Sequence, residues 1–350
     1  MDGDFDICIL IFELLPGLVM AFKDILGHEK PIRLLQQAIK TDKVVHSYLF
    51  LGNEGIGKKQ VALEFSKAIN CLGRGPETGE ACDRCLSCKK VDDGFHPDVL
   101  LLEPEKHTLK VEQVRQMQRD LAYRPYEGRR RVCIIAAADR MAPNMSNTLL
   151  KTLEEPPLHT VIILLANNPR LLLPTILSRC QAVRFNPLPA SLVAKWLVKE
   201  KGFGEEEAHL LASLSEGSPG RALALQEELK EIPRVDLLKG WLGVKALSLE
   251  AMEKWAESLP SDREHLVSVL EVGKTLLRDL VVVKAVQDPS KLIHGDLREE
   301  MEPIAAQWAL PVLLNRIDIL HQTLLAVSPG RGNANTKLAL EAMMLSWAQG

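Results

Sequence analysis

The stretch GNEGIGKK at residues 52–59 has the glycines and the lysine of a phosphate-binding loop. It lies between an apolar run at residues 48–51 and a helical pattern at residues 60–70, which is the strand, loop and helix context that this motif requires. That context argues against a chance match. The stretch therefore predicts a P-loop NTPase core, and its candidate nucleotide-binding residues are Gly52, Gly55, Gly57, Lys58 and Lys59.

Two departures from the P-loop pattern argue against hydrolysis by this chain. Lys59 stands where a Ser or Thr hydroxyl would bind Mg²⁺. The apolar run at residues 132–135 is followed by Ala136 and Ala137, where an active NTPase needs an acid for the metal and a Glu for the attacking water. Lys59 places a positive charge near the metal position, so we expect weak binding of ATP or ADP, or none.

Alternating strand and helix patterns between residues 47 and 185 predict an α/β domain with a mainly parallel sheet. Strands are expected near residues 48–52, 98–102, 132–136, 160–166 and 181–185, and helices near 30–41, 57–71, 111–121, 145–154 and 171–178. After residue 187 only helical patterns follow. They divide into a small helical domain at residues 188–232 and a larger one at residues 233–350.

The chain has 350 residues, 46% of them hydrophobic, and a net charge of −3. This length and composition indicate a globular protein of two or three domains. The aromatic content is 5% and the longest basic run is Arg129–Arg131, too little for strong autonomous nucleic-acid binding. Residues 1–19 lack a basic signal-peptide start, and Glu13 and Pro16 interrupt their apolar stretch. We expect them to be a non-native or disordered extension of a cytoplasmic chain without a membrane anchor.

Four of the seven cysteines lie close together, with the spacing C-x10-C-x2-C-x2-C. Four thiolates close the coordination shell of a structural Zn²⁺ site. The alternatives for these cysteines are a redox pair or an iron–sulfur cluster. A different function that would use the same zinc site is that of a zinc-dependent nucleic-acid reader. Zinc is favoured because the glycine-rich insert is too small to form a core of its own. The predicted metal ligands are Cys71, Cys82, Cys85 and Cys88, and His96 is more simply the approach to a strand.

Several segments, taken in order, resemble the AAA+ clamp-loader subunits of bacterial DNA polymerase III. They cover nearly the whole chain from Met20, and so many ordered matches are highly specific. The segments are FKDILGHEKPIRLL (22–35), HSYLFLGNEGIGKKQVA (46–62), HPD (96–98), YRPYEGRRRVCIIAAADRM (123–141), NTLLKTLEEPP (147–157), LPTILSRC (173–180), GSPGRALAL (217–225) and NANTKLALEAMM (333–344).

The resemblance implies an AAA+ core at residues 20–187 with the zinc insert at 71–88, a helical lid at 188–232 and an all-α collar at 233–350. It further implies a pentameric loader that places a sliding clamp on primed DNA. The partners would be gamma or tau and delta subunits, within a polymerase holoenzyme that carries out the nucleotidyl transfer.

Active members of this family keep the hydroxyl and the acid pair that this chain lacks. In the family an arginine reaches the ATP of the adjacent subunit, and it corresponds to Arg179. Active members also carry a second, sensing arginine in the small helical domain. At the matching position this chain has Gly220, and Arg221 is shifted by one residue. The resemblance thus implies a non-hydrolysing subunit. The alternative is a gamma-like or tau-like ATPase motor that uses Asp139, or the acids Glu154 and Glu155.

Overall fold

The computed structural model describes residues 21–73, 76–104, 111–242, 259–260, 262–286, 288–328 and 334–349. The predicted extension at residues 1–19 lies outside these ranges. The described residues form two compact units. One consists of the chain up to Pro189 together with Gly217–Arg221, and the other consists of Ala190–Glu216 and the chain from Ala222 onward.

The first unit is an α/β domain around a five-stranded parallel sheet with the order β2-β3-β4-β1-β5. The predicted strands and helices are all present, most within two residues of their expected ends. In chain order the elements are α1 (Glu29–Lys40), β1 (Ser47–Leu51), α2 (Lys58–Asn70), α3 (Leu86–Asp92), β2 (Val99–Leu102), α4 (Val111–Leu121), β3 (Arg131–Ile135), α5 (Pro143–Glu154), β4 (Thr160–Ala166), α6 (Pro174–Leu177) and β5 (Gln181–Arg184).

Strand β1, which lies between β4 and β5, shows that the sheet is covered on both faces. All five of its residues are buried. Tyr48 and Phe50 belong to the apolar core on one face, whereas Leu49 and Leu51 belong to the core on the other. Because side chains alternate between the faces of a strand, a continuous apolar run is buried only when helices cover both sides.

The parallel sheet has two edges with different roles. The strands end at a carboxyl edge, which carries the P-loop after β1, and they begin at an amino edge, where Ser47 starts β1. A strand rises about 3.3 Å per residue, so β1 separates the two edges by about 16 Å. Ligands of open α/β sheets bind at the carboxyl edge.

The second unit is entirely helical in its described parts, as the patterns after residue 187 predict. Its core contains buried Leu, Val and Met side chains from several helices, including Leu270, Leu277, Met301, Leu313 and Leu320. The helices are α7 (Ala190–Lys201), α8 (Glu205–Leu214), α9 (Pro219–Glu231), whose first turn belongs to the first unit, α10 (Arg234–Leu237), α11 (Arg263–Ala285), α12 (Arg298–Gln307), α13 (Leu310–Val327) and α14 (Thr336–Gln349).

The predicted three-part division at residues 187 and 232 stays a prediction, because the two units are not divided at those positions. Among the described helices, none has both the length and the apolar content needed to cross a bilayer.

Candidate functional site

The loop between β1 and α2 has the backbone that its glycines predict. Gly55 has a φ of 70° and Gly57, which precedes α2, has a φ of 108°, both in the region that favours glycine. A Cβ on Gly52 would lie 2.6 Å from the carbonyl oxygen of Phe185. The segment after β1 therefore has the loop backbone that the motif requires, whether or not it binds a nucleotide.

Lys58, the lysine of the loop, is buried and bonded to groups of its own chain. Its Nζ donates to the carbonyl oxygens of Gly52 and Asn53, both at 2.7 Å, and to Oδ1 of Asn167 at 2.9 Å. An ammonium has three N–H donors, and these contacts match all three. A nucleotide phosphate would have to replace acceptors that are already in place.

Lys59 forms an ion pair at the position where the metal-binding hydroxyl is missing. Its Nζ lies 2.7 Å from Oε1 of Glu103, which follows β2 at the same carboxyl edge. Ala136 and Ala137 follow β3 at this edge and supply methyl groups only. The residues that would hold Mg²⁺ in an active P-loop are thus replaced by a salt bridge and two alanines.

Asp139, the next acid along the chain, binds backbone. Its Oδ2 accepts hydrogen bonds from the N–H groups of Asn167 and Asn168, at 3.0 and 2.8 Å. This carboxylate therefore fixes the loop that carries Asn167, the partner of Lys58.

Two segments distant in the sequence bind the carbonyl groups of the loop. Ser218 Oγ donates to the oxygen of Glu54 at 2.7 Å, and the N–H of Gly220 donates to the oxygen of Gly55 at 2.9 Å. On the other side, Nε2 of His28 lies 2.8 Å from the oxygen of Ile56. Gly220 is thus packed directly against the P-loop.

Arg179 lies at the amino edge of the sheet. Ser47 Oγ, at the start of β1, donates to the carbonyl oxygen of Arg179 at 2.7 Å. The Arg179 guanidinium contacts Glu154 Oε1 at 2.7 Å. Because β1 separates this edge from the P-loop by about 16 Å, Arg179 and Glu154 are remote from the P-loop of their own chain.

The four cysteines of the insert lie together, as their spacing predicts. Their sulfur atoms are all within 4.8 Å of one another, with Cys85 and Cys88 3.4 Å apart and Cys82 and Cys88 4.0 Å apart. Sulfur atoms at 2.3 Å from a tetrahedral Zn²⁺ are about 3.8 Å apart. Cys71, Cys82, Cys85 and Cys88 could therefore hold one metal ion.

The surroundings of the cluster favour the thiolate form of Cys82 but not that of Cys88. Burial opposes ionisation of Cys82, but the N–H groups of Arg84 and Cys85 and the neighbouring thiols lower its pKa to about 6. Burial and the nearby Cys85 sulfur raise the pKa of Cys88. A Cβ on Gly73 would lie 2.5 Å from the Cys82 sulfur, so the turn beside the cluster requires glycine.

His96 is not part of the cluster. It is buried next to Ser87, with the Ser87 Oγ 3.0 Å from its Nε2, and it precedes β2 as the sequence suggests. Its pKa is lowered by burial, which favours the neutral ring.

Sequence reasoning did not find the partners of the candidate residues, namely Glu103, Glu154 as the partner of Arg179, and Ser218. Glu103 could have been inferred from its place directly after β2, since the carboxyl ends of parallel strands meet at one edge. Neither Glu154 nor Ser218 has such a signal.

The chain is similar to known proteins over most of its length. The family model for the DNA polymerase III delta subunit matches residues 27–189. The chain is 32% identical over 309 residues to DNA polymerase III subunit delta' of Pseudomonas aeruginosa, covering 87% of this chain and 92% of that protein. It is 30% identical over 291 residues to subunit delta' of Bacillus subtilis, covering 82% and 86%.

A tau/gamma subunit is a further relative, but the match spans a smaller part of it. The chain is 29% identical over 301 residues to DNA polymerase III subunit tau/gamma of Haemophilus influenzae, which covers 83% of this chain and 41% of that protein. Since both delta' matches extend over most of the relatives' length at 30% identity or more, the chain belongs to the delta' family of DNA polymerase III clamp-loader subunits.

Proposed function

We propose that this chain is a non-hydrolysing subunit of the DNA polymerase III clamp loader, which assists the ATP-dependent loading of a sliding clamp onto primed DNA. Its partners would be gamma or tau and delta subunits in the cytoplasm, and the polymerase subunits of the holoenzyme would carry out nucleotidyl transfer. Membership of the family supports the place of the chain in the complex.

The observation that carries the non-hydrolysing role is the internal pairing of the P-loop lysines. Lys58 is bonded to Gly52, Asn53 and Asn167, and Lys59 to Glu103. No hydroxyl or acid stands at the usual metal positions. Losing catalytic groups of this kind lowers rates by orders of magnitude each. ATP or ADP would therefore bind weakly or not at all, and hydrolysis would not follow.

Arg179 is proposed to serve the ATP held by a neighbouring subunit. Its place at the amino edge, remote from its own P-loop, supports a role between subunits. An arginine supplied in trans stabilises the charge that develops on the transferred phosphoryl group.

The helical parts of the chain are proposed to assemble the complex, with a lid at residues 188–232 and a collar at residues 233–350. The cysteine cluster is proposed to hold a structural Zn²⁺ through Cys71, Cys82, Cys85 and Cys88. When bound, the metal would supply folding energy to the insert, since a closed four-sulfur shell leaves no position for a substrate.

The test of the Arg179 role is Arg179→Ala in a loader reconstituted with motor and delta subunits. We expect normal folding and assembly, but hydrolysis at the neighbouring site slower by about 10³–10⁵-fold, the range for a trans arginine. The steady-state rate with clamp and primed DNA then falls by the fraction of the total ATP turnover that this site contributes. Arg33→Ala removes an equal charge from an exposed position on α1 and is the matched control.

Unchanged turnover in the Arg179→Ala loader would remove Arg179 from the mechanism. The isolated chain should not turn over ATP, with or without primed DNA. A steady rate in the isolated chain that disappears on changing Lys58 would instead support the motor alternative.

A further inference from the structure

We infer that Glu154 is a positioning residue for Arg179 and that it orients the guanidinium for the ATP of the neighbouring subunit. The inference rests on the proposed function of Arg179. It concerns a residue at the end of α5 that sequence reasoning considered only as a possible metal ligand.

The guanidinium of Arg179 is held on two sides. Its Nη2 lies 2.7 Å from Oε1 of Glu154, and its Nη1 donates to the carbonyl oxygen of Thr175 at 3.0 Å and to Ser178 Oγ at 3.2 Å. The Thr175 and Ser178 contacts come from the turn that carries Arg179. Glu154 is the contact from a different element, so it fixes the direction in which the Nη2 end of the side chain points.

The backbone of Arg179 is fixed as well. Its N–H donates to the carbonyl oxygen of Ile176 at 3.1 Å, and its own carbonyl oxygen accepts from the buried Ser47 at 2.7 Å. With the Cα held by β1 and the Nη2 group held by Glu154, few rotamers of the side chain remain. Arginine has about 2 kcal/mol of rotamer entropy, and contacts made before binding reduce what binding must remove.

The place of Glu154 in α5 argues that its charge is not incidental. Glu154 is the last residue of the helix and Glu155 follows it as the cap, with Lys151 one turn earlier. Carboxylates are unfavourable at a helix C-terminus, where the backbone dipole is negative. Arg179 offsets that repulsion for Glu154, and Glu155 has no such contact among the described residues.

The held guanidinium keeps donors for a ligand. A guanidinium has five N–H donors, and the contacts with Thr175, Ser178 and Glu154 use three of them. Nε and one hydrogen of Nη2 remain, on a side chain that is 34% exposed. A phosphate oxygen can therefore be bound while the Glu154 contact persists, because the two acceptors use different hydrogens.

The experiment compares Glu154→Ala and Glu154→Gln in the reconstituted loader with clamp and primed DNA. Since the Glu154 contact is a half-exposed ion pair, we expect Glu154→Ala to slow hydrolysis at the neighbouring site by about fivefold in single-turnover measurements, with the KM for ATP unchanged. Gln keeps an acceptor oxygen, so Glu154→Gln should stay within about twofold of the parent. Glu155→Ala removes an equal charge from the adjacent position and should match the parent.

A double variant separates positioning from a structural role. If Glu154 acts through Arg179, Glu154→Ala should not slow hydrolysis at the neighbouring site any further in the Arg179→Ala background. Weaker assembly would instead raise the protein concentration needed for full activity, in either background. A fivefold loss that depends on Arg179 supports the inference, whereas a Glu154→Ala rate equal to or above the parent rate overturns it.

The same measurements distinguish failure of this inference from failure of the proposed function. If Arg179→Ala lowers turnover and Glu154→Ala does not, only the positioning role of Glu154 is wrong. If Arg179→Ala itself has no effect, the proposed role of Arg179 is wrong and the role of Glu154 falls with it.

Discussion

Gly220 and Gly55 contact each other through their backbones, at the meeting point of the first turn of α9 and the P-loop. The N–H of Gly220 donates to the oxygen of Gly55 at 2.9 Å. A Cβ on Gly220 would lie 2.8 Å from the Cα of Gly55 and 2.9 Å from its oxygen. Position 220 is therefore one where even a methyl group is too large.

The first prediction follows from this contact. Gly220→Ala forces the two backbones apart, so we expect the first unit to lose about 1–3 kcal/mol of stability, as overpacked sites do. Hydrogen exchange of the β1 and α2 amides measures the loss where it arises. Gly204→Ala is the control, since nothing lies within 4 Å of a Cβ at that position. Equal protection in the two variants would show that the loop and α9 separate easily.

The sequence predicted the elements and the local motifs because both are written in short-range patterns. The apolar run of β4 and the alternation of strand and helix do not depend on distant residues, and neither does the spacing of the cysteines. The pairings could not be predicted in this way. Lys59 meets Glu103 across 44 positions and Ser218 meets Glu54 across 164, and both contacts depend on how distant segments pack.

The same limit applies to the meaning of Lys59. The sequence indicates that the hydroxyl is lost and that Glu103 follows a strand of the parallel sheet, but only the packing of the folded chain brings the Glu103 carboxylate to Lys59, where it neutralises the new charge. Likewise, the sequence predicts that Arg179 precedes a strand of the parallel sheet, but it does not reveal that this strand lies at the edge of the sheet. Both facts depend on the tertiary structure.

The second prediction concerns the cysteine cluster. Replacing Cys85 and Cys88 together by Ser removes two of the four sulfur ligands, so we expect the loss of one zinc ion per chain and a less stable insert. Elemental analysis of the purified protein measures the zinc, and proteolysis of the segment at 71–88 measures its folding. Cys180→Ala is the control, because Cys180 lies outside the cluster. A parent protein that contains no zinc would contradict the assignment.

A buried histidine in the second unit is the basis of the last prediction. The Nε2 of His294 lies 2.8 Å from Thr275 Oγ1, and its Nδ1 lies 3.2 Å from Nη1 of Arg234. The backbone N–H of His294 donates to Asp279 Oδ2 at 2.7 Å. Because the guanidinium can only donate, Nδ1 must accept, and this assigns the ring proton to Nε2. Protonation would place a second proton on Nδ1, against the guanidinium.

Burial, followed by the charges of Arg234 and Arg278, lowers the pKa of His294 to about 3, although Asp296 opposes the shift. The unfolded chain takes up a proton near pH 6.5, but the folded chain does so only near pH 3. The contribution of His294 is therefore fully present above pH 6.5 and is lost as the pH falls toward 3, by at most about 1.4 kcal/mol per unit. Burial raises the pKa of Asp279, so its contribution to stability changes with pH in the opposite direction.

Comparison with His294→Gln isolates this contribution, because Gln cannot titrate and Asp279 is present in both proteins. Between pH 6.5 and 4.5 we expect the free energy of unfolding of the second unit to fall more steeply in the parent, by about 1–3 kcal/mol. Tryptophan fluorescence during denaturant unfolding reports on this part of the chain alone, since all five tryptophans lie after residue 189. His209→Gln changes an exposed histidine on α8, and its free energy of unfolding should depend on pH as that of the parent does. Parallel curves for the parent and His294→Gln would mean that His294 is protonated in the folded chain as readily as in the unfolded one.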